Sequence, residues 1–246
     1  MIARGLLFLV LVAVLALARL PATLMDSALA AGSGGKLRLA AAEGSFWRGS
    51  GVLAVSDGQR TLRASRAVTW SFGLSAAPLG AVLHISEHRH PQARLRLTPG
   101  GVAIEQLGFD LPLDLVAASV PHPAARAGWR GRLLLSSAGF GCDWRGQCEG
   151  GLIVHWRDAG LDIVPDRELG SHEIRLQALG KAFDVQVSSL EGDIRIAGNG
   201  RLEPDGRFGF EGVVEGDPDV VDRIPNVMDR NARLTDTAGR VLISLP

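Results

Sequence analysis

The sequence predicts a mainly β protein: an N-terminal transmembrane helix followed by a curved, mostly antiparallel sheet of many short strands, with one or two short helices. Three observations carry this. Apolar residues alternate with a period of two in segment after segment, as half-buried strands require. The 31 glycines are spread without a strict period, which points to many turns and bulges. Sustained apolar sequence of helical type is confined to the N-terminus.

The N-terminal segment comes first. Arg4 precedes an uninterrupted apolar run from Gly5 to Ala18, Arg19 breaks it, and Leu20–Met25 is largely apolar again. Extended to Met25, the stretch would reach about 31 Å at ~1.5 Å per residue, with Arg19 snorkelling toward headgroups. A cleaved signal peptide is the rival reading, with Ala28-Leu29-Ala30 as its small-residue site. Either reading places the remainder outside the cytoplasm, and Arg4 favours a short N-terminus inside. The expected organisation is an anchor and flank over 1–31, a flexible linker over 32–36 containing Gly32-Ser33-Gly34-Gly35, and a β-rich domain over 37–246.

The strands follow. From Leu62 to Phe72, the even positions are apolar except Arg66. Ala81/Leu83/Ile85 and Ala93/Leu95/Leu97 alternate likewise, the latter before a Pro99-Gly100-Gly101 turn. Shorter alternations recur at Leu133/Leu135, Leu152/Val154/Trp156, Ile174/Leu176, Phe183/Val185/Val187, Ile194/Ile196, Phe208/Phe210 and Val241/Ile243. Asp57-Gly58 and Pro204-Asp205-Gly206 read as hairpin turns. A short helix is expected over Leu113–Ser119. A second is expected after Asp217-Pro218, where a capping residue precedes a first-turn proline.

Composition narrows the function. Lys+Arg and Asp+Glu are both 26, so the chain has no bulk attraction for nucleic acid. Cys142 and Cys148, the two cysteines, form a candidate disulfide; free thiols are the alternative. Their spacing lacks the second ligand pair of a zinc site. His84, His88 and His90 lie near Glu87, but Arg89, Arg94 and Pro91 make that segment a polar hairpin tip. His155 and His172 sit singly in alternating patterns and read as solvent-facing strand residues. No serine elbow, dinucleotide fingerprint or P-loop is present. The carboxylates Asp143, Glu149, Asp158, Asp162 and Asp166 show no cleft-lining pattern. No catalytic, cofactor-binding or metal-binding residue is expected.

The tryptophans are more informative. Trp47, Trp129 and Trp144 each begin a Trp-Arg-Gly tripeptide. Val68-Thr69-Trp70 follows the first and Val154-His155-Trp156 the second, a faint internal echo. An aromatic beside a glycine suits a bulge or a close backbone crossing. Trp47, Trp70, Trp129, Trp144 and Trp156 are therefore candidates for a face that takes a partner strand or an acyl chain, with core packing as the plainer reading.

These same residues resemble the type II secretion system protein N family. The resemblance runs through Leu20-Pro21-Ala22, then Gly44-Ser45-Phe46-Trp47-Arg48-Gly49, where Ser45 replaces the usual threonine, and Val68-Thr69-Trp70. It continues through Gly131–Leu135, Gly151–Trp156, Leu169-Gly170, Glu191-Gly192 and Gly200–Phe208. The order is kept over nearly the whole chain; Pro91–Arg126 and Asp229–Pro246 match loosely. The resemblance implies a non-enzymatic accessory or structural component of type II secretion. It implies a single-pass inner-membrane protein with its bulk in the periplasm and other secretion components as partners. The alternative from the strand pattern is a lipid-binding or lipid-transport protein whose curved sheet forms an apolar groove. Nucleic acid is not expected as a partner, nor is a small-molecule ligand other than lipid.

Overall fold

The computed structural model describes residues 2–56, 62–76, 79–113, 128–162, 167–225 and 231–245. Among these, fourteen strands form one sheet. They are β1 (Leu37–Gly44), β2 (Arg48–Ser56), β3 (Leu62–Ala76), β4 (Leu79–Glu87), β5 (His90–Thr98), β6 (Gly101–Pro112) and β7 (Trp129–Asp143). The second half comprises β8 (Cys148–Leu161), β9 (Gly170–Leu179), β10 (Ala182–Glu191), β11 (Arg195–Leu202), β12 (Phe208–Glu215), β13 (Ala232–Leu234) and β14 (Arg240–Leu245). Every pairing is antiparallel, and strands lie beside their chain neighbours, except that β14 inserts between β12 and β13. The expected Asp57-Gly58 turn, residues 114–119 of the expected Leu113–Ser119 helix, and Asp166 lie outside the described residues.

The mainly β class holds, but not every strand is short: β3 and β7 run 15 residues and β8 runs 14. Their apolar alternation is legible only in fragments because the register shifts along them. Along the β7–β8 ladder it shifts between Arg130 and Arg132, with the extra residue in β8, and between Ala138 and Gly141, with the extra residue in β7. Each bulge inserts a residue and exchanges the odd and even positions between the two faces.

The expected transmembrane helix is corrected. No helix among the described residues is long and apolar enough to cross a membrane. The apolar stretch is divided into α1 (Ile2–Ala18) and α2 (Thr23–Gly32). At ~1.5 Å per residue, α1 alone reaches about 26 Å, short of the ~30 Å hydrocarbon core. The division falls at Arg19–Ala22, where Pro21 forms a bridge with Ser45 and the Leu20 carbonyl accepts from Phe46 N–H at 2.9 Å. Residues beyond Ala18 are thus recruited to the sheet. Ala22 is buried against Leu39, Val68 and Trp70, with Met25 and Leu29 packed on the same cluster. The expected single-pass inner-membrane topology is corrected with it, since no described helix supplies the span.

Two hydrophobic clusters hold the sheet. One groups Leu39, Val68 and Trp70 under α2. The larger groups Leu133, Trp156, Leu161, Leu169, Ile194, Val214 and Val241 with Val220 and Val221 of α3 (Pro218–Val221). As its sequence suggests, α3 starts with an Asp217 cap, whose carboxylate accepts from Asp219 N–H at 2.9 Å, followed by a first-turn proline. At the β4–β5 tip, His88 and Arg89 have φ of 47° and 70°, the left-handed pair that a tight hairpin demands.

The Trp-Arg-Gly echo has a physical basis in two of its three occurrences. Gly49 of β2 stands opposite Trp70 of β3, and any side chain on Gly49 would meet the Trp70 indole and the Glu43 carbonyl. Trp70 Nε1 then donates to the Phe46 carbonyl at 3.0 Å. Gly131 of β7, at φ +121°, clears the same room for Trp156 of β8, whose Nε1 donates to the Arg130 carbonyl at 3.0 Å. Gly146 differs: it completes the β7–β8 turn in open space.

Gly49→Val and Trp70→Ala are therefore expected to destabilise the fold. The Trp70 truncation should cost about 3–5 kcal/mol, as for other large-to-small aromatic core changes. Urea unfolding midpoints at constant slope would check this. An unchanged midpoint for Gly49→Val would refute the crossing as a packing constraint.

Candidate functional site

The concave face of the sheet leaves an apolar cleft of about 380 Å³ beside α2. Leu37 and Leu39 of β1, Leu53 and Val55 of β2, Val68 and Trp70 of β3 and Leu83 and Ile85 of β4 line it. Met25 and Leu29 of α2, Phe109 and Leu111 of β6 and Leu135 of β7 complete it. In a flat sheet at ~4.8 Å between strands, β1 and β7 would stand roughly 29 Å apart. Sharing one small cleft requires the sheet to curl. The same alternation that makes each segment a strand delivers every second side chain to the inside of the curl. No polar atom is presented on the cleft wall.

Two ion pairs flank the wall. Arg66 stands opposite Leu53 on β2, and its guanidinium holds both carboxylate oxygens of Glu87 at 2.8 and 2.7 Å. Arg66 is thus the exception to the alternation of β3 because it has a partner on β4. At the α2 side, Arg38 donates to Asp26 at 2.9 and 2.6 Å, and Leu39 N–H donates to the same carboxylate at 2.7 Å. The Arg38 hydrogen bond, aided by that from Leu39, holds Asp26 below the ordinary carboxylate range. Asp26 thereby ties α2 to β1.

The five candidate tryptophans are not gathered at one site. Trp70 is buried and lines the cleft; Trp156 is buried in the larger cluster, with Trp129 packed edge-on at 5.4 Å between centroids. Trp47 stacks edge-on with Phe46 and Phe72 and donates Nε1 to the Leu17 carbonyl at 2.8 Å, pinning the end of α1. Trp144 is 62% exposed at the β7–β8 hairpin tip, with Nε1 donating to the Thr98 carbonyl at 3.2 Å. Cys142 and Cys148 are joined by a disulfide across that hairpin, and Asp143 Oδ1 accepts from Arg145 and Gln147 N–H at 2.8 Å.

His172 departs from the sequence reading: it is fully buried rather than solvent-facing. It pairs with Trp156 across β8–β9, and the rings lie 5.2 Å apart. Nδ1 is 2.9 Å from Ser189 Oγ, which also accepts from Ile196 N–H, while Nε2 has no hydrogen-bond partner among the described residues. Burial pushes its pKa down. His155 is on the other face, 2.9 Å from Glu173. That bond, with Arg175 alongside, holds Glu173 below the ordinary range. Among the described residues, no group of three or more His, Cys, Asp or Glu is arranged to hold a metal. What the cleft offers chemically is exclusion of water from apolar surface.

Sequence reasoning found five of the thirteen wall residues and missed the rest. Leu83, Ile85, Leu135, Val68 and Trp70 stand in the alternations read above. Met25 reads as the end of the membrane segment and Leu29 as part of its flank, so the roof was not seen. Phe109 and Leu111 alternate too, and that signal was available.

A family model described as "Type II secretion system (T2SS), protein N" matches residues 35–234 of the chain. No curated protein and no solved structure match it.

His172 and Glu173 predict two separate acid transitions. An unfolded chain protonates His172 near ~6.5 whereas the folded chain resists, so its contribution is complete above that pH and declines below it. Glu173, held down in the fold, contributes above its ordinary carboxylate pKa and loses that contribution at still lower pH. Stability measured by urea titration across pH 4–7 should fall below about pH 6.5 in the native chain. His172→Phe should flatten that upper limb alone; an unchanged limb would remove His172 as its cause.

Proposed function

The chain belongs to the type II secretion system protein N family, and from that premise we propose that it is an accessory structural component that docks other components of the secretion machine on its curled sheet. The family is non-catalytic, and membership implies interaction with other parts of the type II system. The observation that carries the proposal is the extent of the match, which reaches from before β1 to the end of β13. Thirteen of the fourteen strands lie within it, and β14 falls outside.

The β7–β8 hairpin tip supports a docking role. Trp144 is a large aromatic left mostly in solvent on a hairpin closed by a disulfide, with its one polar atom already satisfied. A rigid exposed aromatic loses little conformational freedom on binding and is the residue type that most often anchors an interface. Trp47 is less suited, because its indole is engaged with α1 and the Phe46–Phe72 pair.

In the native host, deleting the gene should leave a type II substrate cell-associated instead of released to the medium, and the full-length chain should restore release. Trp144→Ala should accumulate to normal levels with an unchanged unfolding midpoint, since exposed positions rarely alter stability by more than ~0.5 kcal/mol, yet restore release poorly. Normal release on deletion would overturn the secretion role. Full rescue by Trp144→Ala would remove the hairpin tip from it.

A further inference from the structure

We propose that the cleft beneath α2 is a binding site for a single acyl chain. The wall from Leu37 to Ile85 and the α2 roof expose no polar atom, so hydrocarbon enters without stripping water from any group that needs it. A peptide in the same place brings an N–H and a C=O with every residue, and the wall has nothing to pair them with. A protein partner is also excluded by size. The wall is far smaller than the ~800 Å² per partner that a stable interface buries. A volume of about 380 Å³ falls instead in the lower range of small-ligand pockets.

Charge complementarity points the same way. The two ion pairs that flank the wall, Arg66 with Glu87 and Arg38 with Asp26, are matched, and the wall itself presents no polar atom. The site is therefore matched to a neutral tail, and the polar head of the ligand remains outside it. Trp70 forms part of the wall, which makes occupancy visible in its emission. This proposal does not rest on the secretion role.

The test titrates the full chain with cis-parinaric acid while following tryptophan emission. Saturable quenching at one probe per chain is expected. Two variants act on the cleft: Leu53→Phe with Leu135→Phe narrows it, and Leu83→Asn makes its wall polar. Each should weaken binding by about tenfold or more, the discrimination an apolar pocket achieves. A variant is read only if its circular dichroism and unfolding midpoint show a folded chain. The exposed apolar residues of α1 are the competing surface, so Phe8→Ser with Leu15→Ser should leave binding unchanged. Displacement by myristic acid identifies a free fatty acid as a competent source, and displacement by dimyristoyl phosphatidylglycerol identifies a phospholipid; either supports an acyl chain in the cleft. Native mass spectrometry of the wild-type chain with myristic acid should show a single adduct, independently of any variant. No saturable quenching and no adduct, or binding lost in the α1 variant and kept in both cleft variants, would overturn the proposal.

Discussion

An apolar face on a single sheet has to be covered, and this chain has very little with which to cover it. There is no second sheet among the described residues, and the helices that touch the strands are the ten-residue α2 and the four-residue α3. The sheet meets the constraint by curling, so that strands distant in order shield one another. Curling is open to it because each strand bonds to its neighbours in the chain and accumulates right-handed twist from one pair to the next. The bulges in β1, β3, β7 and β8 increase that twist locally.

A strongly curved sheet brings inner side chains into conflict, and the indole-over-glycine crossings relieve it. Trp70 over Gly49 and Trp156 over Gly131 place the largest side chains where the facing strand has none. Each indole then satisfies its N–H on a carbonyl of the strand it crosses or of the residues leading into it. The two crossings belong to the two hydrophobic clusters. Around Trp156, valines from α3, β12 and β14 fill the remaining space. Around Trp70, α2 closes only one side, and the cleft is what is left. The difference between a filled core and a vacant one thus follows from how much chain is available to pack against each indole.

The cleft and the hairpin tip are independent features. The cleft lies on the inner face under α2, whereas Trp144 projects from the β7–β8 turn on a hairpin held by Cys142–Cys148. A component that docks through the one can carry an acyl chain in the other without either surface being shared. Buried His172 belongs to neither. It stands in the core against Trp156, and its cost there is met in part by Ser189, which itself satisfies Ile196 N–H.

What the sequence determined by itself is local. Strand period, the Asp217-Pro218 helix start, the Pro204-Asp205-Gly206 turn and the polar β4–β5 tip each depend on interactions among residues a few positions apart, and each is found where those residues lie. The ordered motifs that resemble the secretion family are likewise linear, and the family match follows them. Tertiary structure alone decided whatever depends on which face a residue occupies after several bulges. Apolar periodicity cannot distinguish a helix bound for lipid from one bound for a sheet, so Pro21, Ala22 and Met25 read as a membrane segment and Leu29 as its flank, whereas Ser45 and Leu39 hold them to the sheet. His172 read as solvent-facing for the same reason: a polar residue in an alternating strand reveals its parity but not whether the curl has closed over that face.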